Sequence, residues 1–320
     1  MSRIVVTGAN GFVGRAVCRM AQACGHEVIA VVRRPGESLA GVREWIHDVP
    51  DFTGLDAAWP ADLEADCVIH LAARVHVMHD ESPDPQAAFD ATNVAGTMAV
   101  AEAARQHGVG RFVFASSIKA VGERDGGKPL AEDAPLEPQD AYGRSKLRAE
   151  RQLAQLGEST GLEIVIVRPP LVYGPGVRAN FLGMMNAVGH GWPLPLGAIT
   201  ARRSLVYLDN LADALLRCAL DARAAGNCFH VADDDPPTVA GLLRMVGQAL
   251  DRPARLFPVP VGVLRALGKV MGRGPQIDRL TDSLQLDTNR LKRVLGWSPP
   301  YSTRDGLAAT AAWYRNRDTR

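Results

Sequence analysis

Arg3-Ile4-Val5-Val6-Thr7-Gly8-Ala9-Asn10-Gly11-Phe12-Val13-Gly14 is the stretch whose reading decides the fold. It opens on a short β-branched run, the pattern of a strand. Three glycines then follow at GxxGxxG spacing. Beyond them Val13, Val17, Met20, Ala21 and Cys24 recur at helical intervals, and Gly25 is a stop signal. His26 to Val32 is a second apolar strand. Strand, glycine turn, helix, strand is the first βαβ unit of a dinucleotide-binding fold. Gly8 permits the tight turn, Gly11 lets backbone N–H groups approach a pyrophosphate, and Gly14 lets helix and strand pack closely. The helix N-terminus adds unpaired donors and partial positive charge.

The pattern extends outward. Asp66-Cys67-Val68-Ile69-His70-Leu71, Arg111-Phe112-Val113-Phe114-Ala115 and Leu162-Glu163-Ile164-Val165-Ile166-Val167 read as further strands. Residues 87–107 carry Asn93, Val94, Thr97, Val100 and Ala101 on one helical face and stop at Gly108. Strands alternating with helices predict an α/β fold: a doubly wound parallel sheet covered on both faces. Ligands of such sheets sit beyond the carboxyl ends of the strands. The residues to read for function are therefore Ala72-Ala73-Arg74, Ser116-Ser117 and Pro169-Pro170-Leu171. Where an acid usually holds the adenosine ribose, after the second strand, stand Val32, Arg33 and Arg34. Arginines there can pair with a 2′-phosphate, so this end predicts NADP in preference to NAD.

Ser117 follows its strand by two residues, and Tyr142-Gly-Arg-Ser-Lys146 comes later, after a helix start at Pro138-Gln139-Asp140. Tyr142 and Lys146 are four apart, so a helix puts them on one face. A free phenol, with a pKa of about 10, exchanges protons poorly at neutral pH. A neighbouring ammonium stabilises the phenolate and is expected to lower that value. A serine hydroxyl can hydrogen-bond the substrate oxygen. Together these groups can move a proton on or off a carbinol oxygen while hydride passes to or from a nicotinamide.

Composition excludes other classes. Formal charge is +1, which argues against a broad nucleic-acid footprint. Five scattered cysteines with no CxxC pair fit a reducing compartment and no zinc site. His76-x-x-His79 with Asp80 and Glu81 reads as a polar loop rather than a metal site. No stretch of 18 apolar residues is present and the first residues lack a signal-peptide layout, so a cytoplasmic, non-membrane protein is expected.

TGANGFVG (7–14), HLAA (70–73), Asn93 in TNVAGT, FVFASS (112–117), YGRSK (142–146) and RPPLVYGPG (168–176) resemble, in order, the landmarks of the extended short-chain dehydrogenase/reductases, the NAD-dependent epimerase/dehydratase family. The likeness runs to the ending LGWSPPYSTRDGL. SSIKAVGE, LPLGA and RRSLVYLDNLADA look like the subgroup of UDP-glucose 4-epimerase-like proteins and UDP-N-acetylquinovosamine dehydrogenase. The resemblance implies that Ser117, Tyr142 and Lys146 are catalytic. It implies cofactor contacts from Gly8, Asn10, Gly11, Phe12, Val13 and Gly14 and from Arg33 and Arg34. Asp48 and Val49 would flank adenine, Leu71, Ala72 and Ala73 would line the ribose channel, and Asn93, Tyr142, Lys146 and Pro169 would complete the site. Arg203 would grip a sugar-nucleotide diphosphate, with Asn180, Lys119, Arg279 and Ser117 as further substrate contacts. Two departures stand out. Ile118-Lys119 replaces the Asp-Glu pair that dehydratases carry, which removes the catalysts for eliminating water. Val121 replaces a customary tyrosine.

Residues 1–170, with a return of 201–234, are expected to form a Rossmann-type domain. Residues 171–200 and 235–320 would form a smaller substrate lobe, with the site in the cleft between. Ser204–Leu208 reads as a strand and Leu211–Ala222 as a helix. Two amphipathic helices are expected in 236–320, a solvated turn at Asp233-Asp234-Asp235 capping a helix near Thr238, and a mobile turn at Gly268–Arg273. The function expected first is a 4-ketoreductase/dehydrogenase acting at C4 of a UDP-hexose or UDP-N-acetylhexosamine. The alternative is a UDP-sugar 4-epimerase with bound NAD, and a second alternative is a cofactor-binding protein without turnover. Helices 87–107 and 138–157 could form the bundle of a homodimer, as the resemblance suggests, or pack wholly within their own sheet.

Overall fold

The computed structural model describes residues 1–75 and 84–317. The His76–Glu81 group lies outside the described residues. Nine strands occur there: β1 (Arg3–Thr7), β2 (Glu27–Val32), β3 (Arg43–Ile46), β4 (Cys67–His70), β5 (Arg111–Ala115), β6 (Glu163–Arg168), β7 (Leu171–Tyr173), β8 (Leu205–Tyr207) and β9 (Cys228–His230). Seven of them form one sheet in the order β3-β2-β1-β4-β5-β6-β9, every neighbour parallel. This is the expected doubly wound sheet. The winding reverses between β1 and β4, which opens a crevice beyond their carboxyl ends.

Each strand feeds both faces because successive side chains alternate. Ile4 and Val6 join one apolar core with Val28 and Ala30, and Val5 joins the other with Ile29 and Val31. The first core is covered by the helices Phe12–Ala23 and Leu208–Leu220, the second by Gly96–Gln106 and Ala141–Thr160. Gly8 turns the chain at φ +66°, and a Cβ there would stand 2.8 Å from the Ala72 nitrogen. A Cβ on Gly14 would stand 2.1 Å from the Gly8 carbonyl oxygen. The two glycines thus allow β1, the helix after it and the exit of β4 to converge.

The remaining elements depart from expectation in four places. The helix read over 87–107 is broken into Pro85–Asp90, a π-helical turn Ala91–Ala95, and Gly96–Gln106. That turn carries Asn93, whose side chain is pinned to the backbone of Arg74. The strand expected at 204–208 does not enter the main sheet, because it pairs with β7 in a separate parallel pair. Asp233 is not a solvated turn residue. It is buried and accepts hydrogen bonds from the Tyr173 hydroxyl (2.8 Å), the Tyr207 N–H (2.9 Å) and the Asn210 amide (2.8 Å). Thr238 does cap the following helix, accepting from Gly241 N–H at 2.9 Å. Five helices, not two, follow residue 236 among the described residues: Val239–Ala249, Val261–Val270, Gly274–Thr281, Asn289–Leu295 and Thr303–Arg317. The expected mobile turn at Gly268–Arg273 opens as the end of one of them, with Gly268 packed against Ile277. These C-terminal helices make the smaller lobe.

Among the described residues no helix is long and apolar enough to cross a membrane. The contact at Gly14 sets an expectation for the turn. Gly14→Ala should lower unfolding free energy by about 1–3 kcal/mol, the usual penalty for an overpacked site. A urea midpoint that falls at constant slope would show it, and an unchanged midpoint would show that the turn can open.

Candidate active site

Because the main-sheet strands are parallel, the residues after them share one edge. Gly8, Arg33, His47, Leu71, Ser116 and Pro169 each follow a strand directly. Ser117 opens a 3₁₀ turn, Ile118–Ala120, and its hydroxyl accepts the Lys119 N–H at 3.2 Å. The helix Ala141–Thr160 starts against this turn: a Cβ on Gly143 would lie 2.3 Å from the Lys119 carbonyl oxygen. Asp140 caps it, accepting Gly143 N–H at 2.8 Å.

Tyr142 and Lys146 share a face of this helix, and the Ser117 hydroxyl lies close enough to pull the Tyr142 phenol down. Lys146 is 1% exposed. Its Nζ donates to the Ala115 carbonyl at 2.8 Å and lies 4.5 Å from the Phe114 ring centre and 6.0 Å from that of Tyr142. Burial pushes the ammonium down to about 7, against the pull of Glu150. Burial also pushes the Tyr142 phenol up to about 12, with the Ser117 hydrogen bond opposing and Asp140 adding to the rise. This corrects the expectation of a lowered phenol. Both charged forms lose hydration on one dry helix face, and a lysine that is itself ready to lose its proton provides little positive field.

Glu150 continues the same spacing and was missed by the sequence reading. It is 3% exposed and takes Arg168 Nε at 3.0 Å and Nη2 at 2.6 Å. The Ser116 hydroxyl donates to it as well. The signal was present in the sequence, as the third member of a 142, 146, 150 series. Asn93, fully buried, braces the other side: its amide donates to Ser145 Oγ at 3.0 Å, and that hydroxyl donates to the Tyr142 carbonyl at 2.8 Å.

At the switch point Thr7 Oγ1 accepts the Leu71 and Ala72 N–H groups, both at 3.2 Å. The helix Phe12–Ala23 starts at Gly11 with no side-chain cap and no acid in its first turn. Its first N–H groups are therefore free of side-chain competitors for a phosphate. With the glycine cradle, these residues fit a dinucleotide. Arg33 and Arg34 are exposed, as are Asp48 and Val49 beyond β3. A second missed residue is Glu37, whose carboxylate accepts from the Asn10 amide at 2.7 Å while Arg15 holds its carbonyl at 3.0 Å. It lies five positions past Val32, too far for the usual strand-end reading to find it.

On the substrate side the structure brings Lys119 and Arg279 together through Glu123, which is 3.1 Å from Lys119 Nζ and 2.8 Å from Arg279 Nε. Arg203 feels both Glu123 and Arg279, and burial lowers its guanidinium below the ordinary range. Its Nη1 donates to the Asp282 carbonyl at 3.2 Å. Asn180 is exposed in the first turn of Ala179–Gly189 and bonds none of these groups.

The model of the NAD dependent epimerase/dehydratase family matches residues 4–232. The chain belongs to this family. Its members include enzymes to which this chain is similar along its length. UDP-glucose 4-epimerase of Vibrio cholerae is 37% identical over 320 residues, covering 99% of this chain and 97% of that protein. UDP-glucose 4-epimerase of Mycolicibacterium smegmatis is 29% identical, covering 98% and 99%. The crystal structure of UDP-glucose 4-epimerase with UDP-glucose from Thermotoga maritima superposes with a TM-score of 0.79 at 23% identity, covering 98% and 99%. That of UDP-glucuronic acid 4-epimerase from Bacillus cereus with NAD gives 0.79 at 20%, covering 98% and 96%.

In this family member the buried Glu150–Arg168 pair holds the floor of the site. Removing only the cation leaves an uncompensated buried carboxylate, so Arg168→Met should cost roughly 3–5 kcal/mol. Arg168→Met with Glu150→Met should regain most of that loss. Urea denaturation of the single and double variants measures both, and a double variant no better than the single would contradict the pairing.

Proposed function

We propose that the protein is an NAD-dependent 4-epimerase of UDP-hexoses. The observation that carries the reading is the grouping of Ser117, Tyr142 and buried Lys146 at the carboxyl edge of the sheet, with Lys146 Nζ on the Ala115 carbonyl. The full-length likeness to the Vibrio cholerae UDP-glucose 4-epimerase supports epimerisation over net reduction. A bound nicotinamide supplies a hydride acceptor and donor at the sugar C4. Ser117 orients the C4 oxygen, and Tyr142 Oη takes its proton as hydride leaves and returns it when hydride comes back to the other face. Lys146, held by the Ala115 carbonyl, fixes the phenol's position and supports its negative form when protonated.

Glu37 favours NAD. A carboxylate bonded to Asn10 in the glycine turn would serve as an acceptor for ribose hydroxyls and would repel a 2′-phosphate. Arg33 and Arg34, both exposed, favour the NADP-linked reductase reading. The dehydratase reading lacks its acid pair at Ile118-Lys119.

Two measurements decide. Incubated with UDP-glucose, the purified protein should form UDP-galactose with no net change in reduced nicotinamide. Consumption of added NADPH on a 4-keto sugar, with no epimer formed, would establish the reductase instead. Tyr142→Phe should lower kcat by about 10²–10⁴-fold, the range for loss of a general acid/base, with NAD affinity retained. In fluorescence titrations Glu37→Gln should weaken NAD binding and narrow its advantage over NADP. Tighter NADP than NAD binding in the unaltered protein would overturn the assignment of Glu37.

A further inference from the structure

Lys119, expected at the substrate, has its ammonium occupied by the chain's own carboxylates. Its Nζ is 2.5 Å from Asp140 Oδ2 and 3.1 Å from Glu123 Oε1. The other Asp140 oxygen caps the catalytic helix, so the carboxylate is fixed at both ends, two residues before Tyr142. The Lys119 backbone N–H meanwhile donates to the hydroxyl of Ser117, the side chain that pulls the Tyr142 phenol down. One short turn therefore carries both Ser117 and the cation that covers Asp140.

We propose that Lys119 is a positioning residue for Tyr142: its ammonium neutralises Asp140 and so keeps the phenolate within reach. The proposal rests on reading Tyr142 as the acid/base group. Desolvation pulls the Asp140 carboxyl up, but the Lys119 and Gly143 hydrogen bonds leave it below its ordinary range, so it is a full negative charge at neutral pH. The other charges around Tyr142 are already balanced or engaged. Lys146 on its own helix bonds the Ala115 carbonyl. Glu123 pairs with Arg279 from Gly274–Thr281. Asp90 pairs with Arg148. Arg74 lies over the Phe89 ring that packs on Tyr142. Removing the Lys119 charge leaves Asp140 facing a developing phenolate with a weaker counter-charge.

The test compares pH–rate profiles on UDP-glucose for the unaltered protein, Lys119→Met, Asp140→Asn and the double variant. Asparagine caps a helix as well as aspartate, so the helix start is kept. Lys119→Met should move the acidic limb of kcat upward by about one pH unit, roughly a tenfold loss of rate below the limb. The double variant should return close to the original profile. A raised KM with an unmoved limb would make Lys119 a substrate contact and overturn the proposal, as would a double variant displaced as far as the single. If no UDP-hexose turns over, the substrate reading fails while the proposal is still decided. The alkaline difference absorbance of each NAD-loaded protein against its Tyr142→Phe partner reads this phenolate alone. The same upward shift is expected there, and its absence overturns the role given to Lys119.

Discussion

The ammonium of Lys146 is a cation buried almost completely beneath a parallel sheet edge. A buried charge of this kind loses several kcal/mol of hydration that only close partners can offset. The partners come from three directions: the Ala115 carbonyl at the end of β5, the Phe114 ring one residue earlier, and Glu150 one turn along its own helix. Glu150 is itself buried and is met by Arg168 at the end of β6 and by Ser116. The helix that carries Tyr142 is thus bound to two adjacent strand ends by charge rather than by apolar contact alone. Shifting its register would strand one of these groups without a partner. That constraint fixes where the phenol stands relative to Ser117.

The parts legible in the sequence were those whose cause is local. A glycine at Gly8 is demanded by a positive φ, one at Gly14 by a backbone oxygen 2.1 Å from any Cβ, and both fall at fixed offsets from a β-branched run. Helical spacing placed Tyr142 and Lys146 on one face without reference to the rest of the chain. What stayed hidden depends on distant partners. Asp233 reads as a turn acid among three until Tyr173, Tyr207 and Asn210 close around it. Glu37 reads as loop charge until the turn brings Asn10 to it. β8 reads as a strand, and only its pairing with β7 shows which sheet it joins. The direction of the phenol's shift was misjudged for the same reason. Spacing reveals that an ammonium is near, but not that both groups are dry.

Two shifts that spacing does not reveal bear on the proton at Tyr142. A phenol pushed up to about 12 keeps its proton at neutral pH, while the amine pushed down to about 7 beside it carries its charge only part of the time. A phenol in that state is a poor base. Lowering the phenol requires either more positive charge near Tyr142 or less negative charge. The chain's own contribution of the second kind is the covering of Asp140 by Lys119. More positive charge near Tyr142 would come with a ligand in the crevice at the switch point, where the uncapped helix start at Gly11 offers donors for an anion.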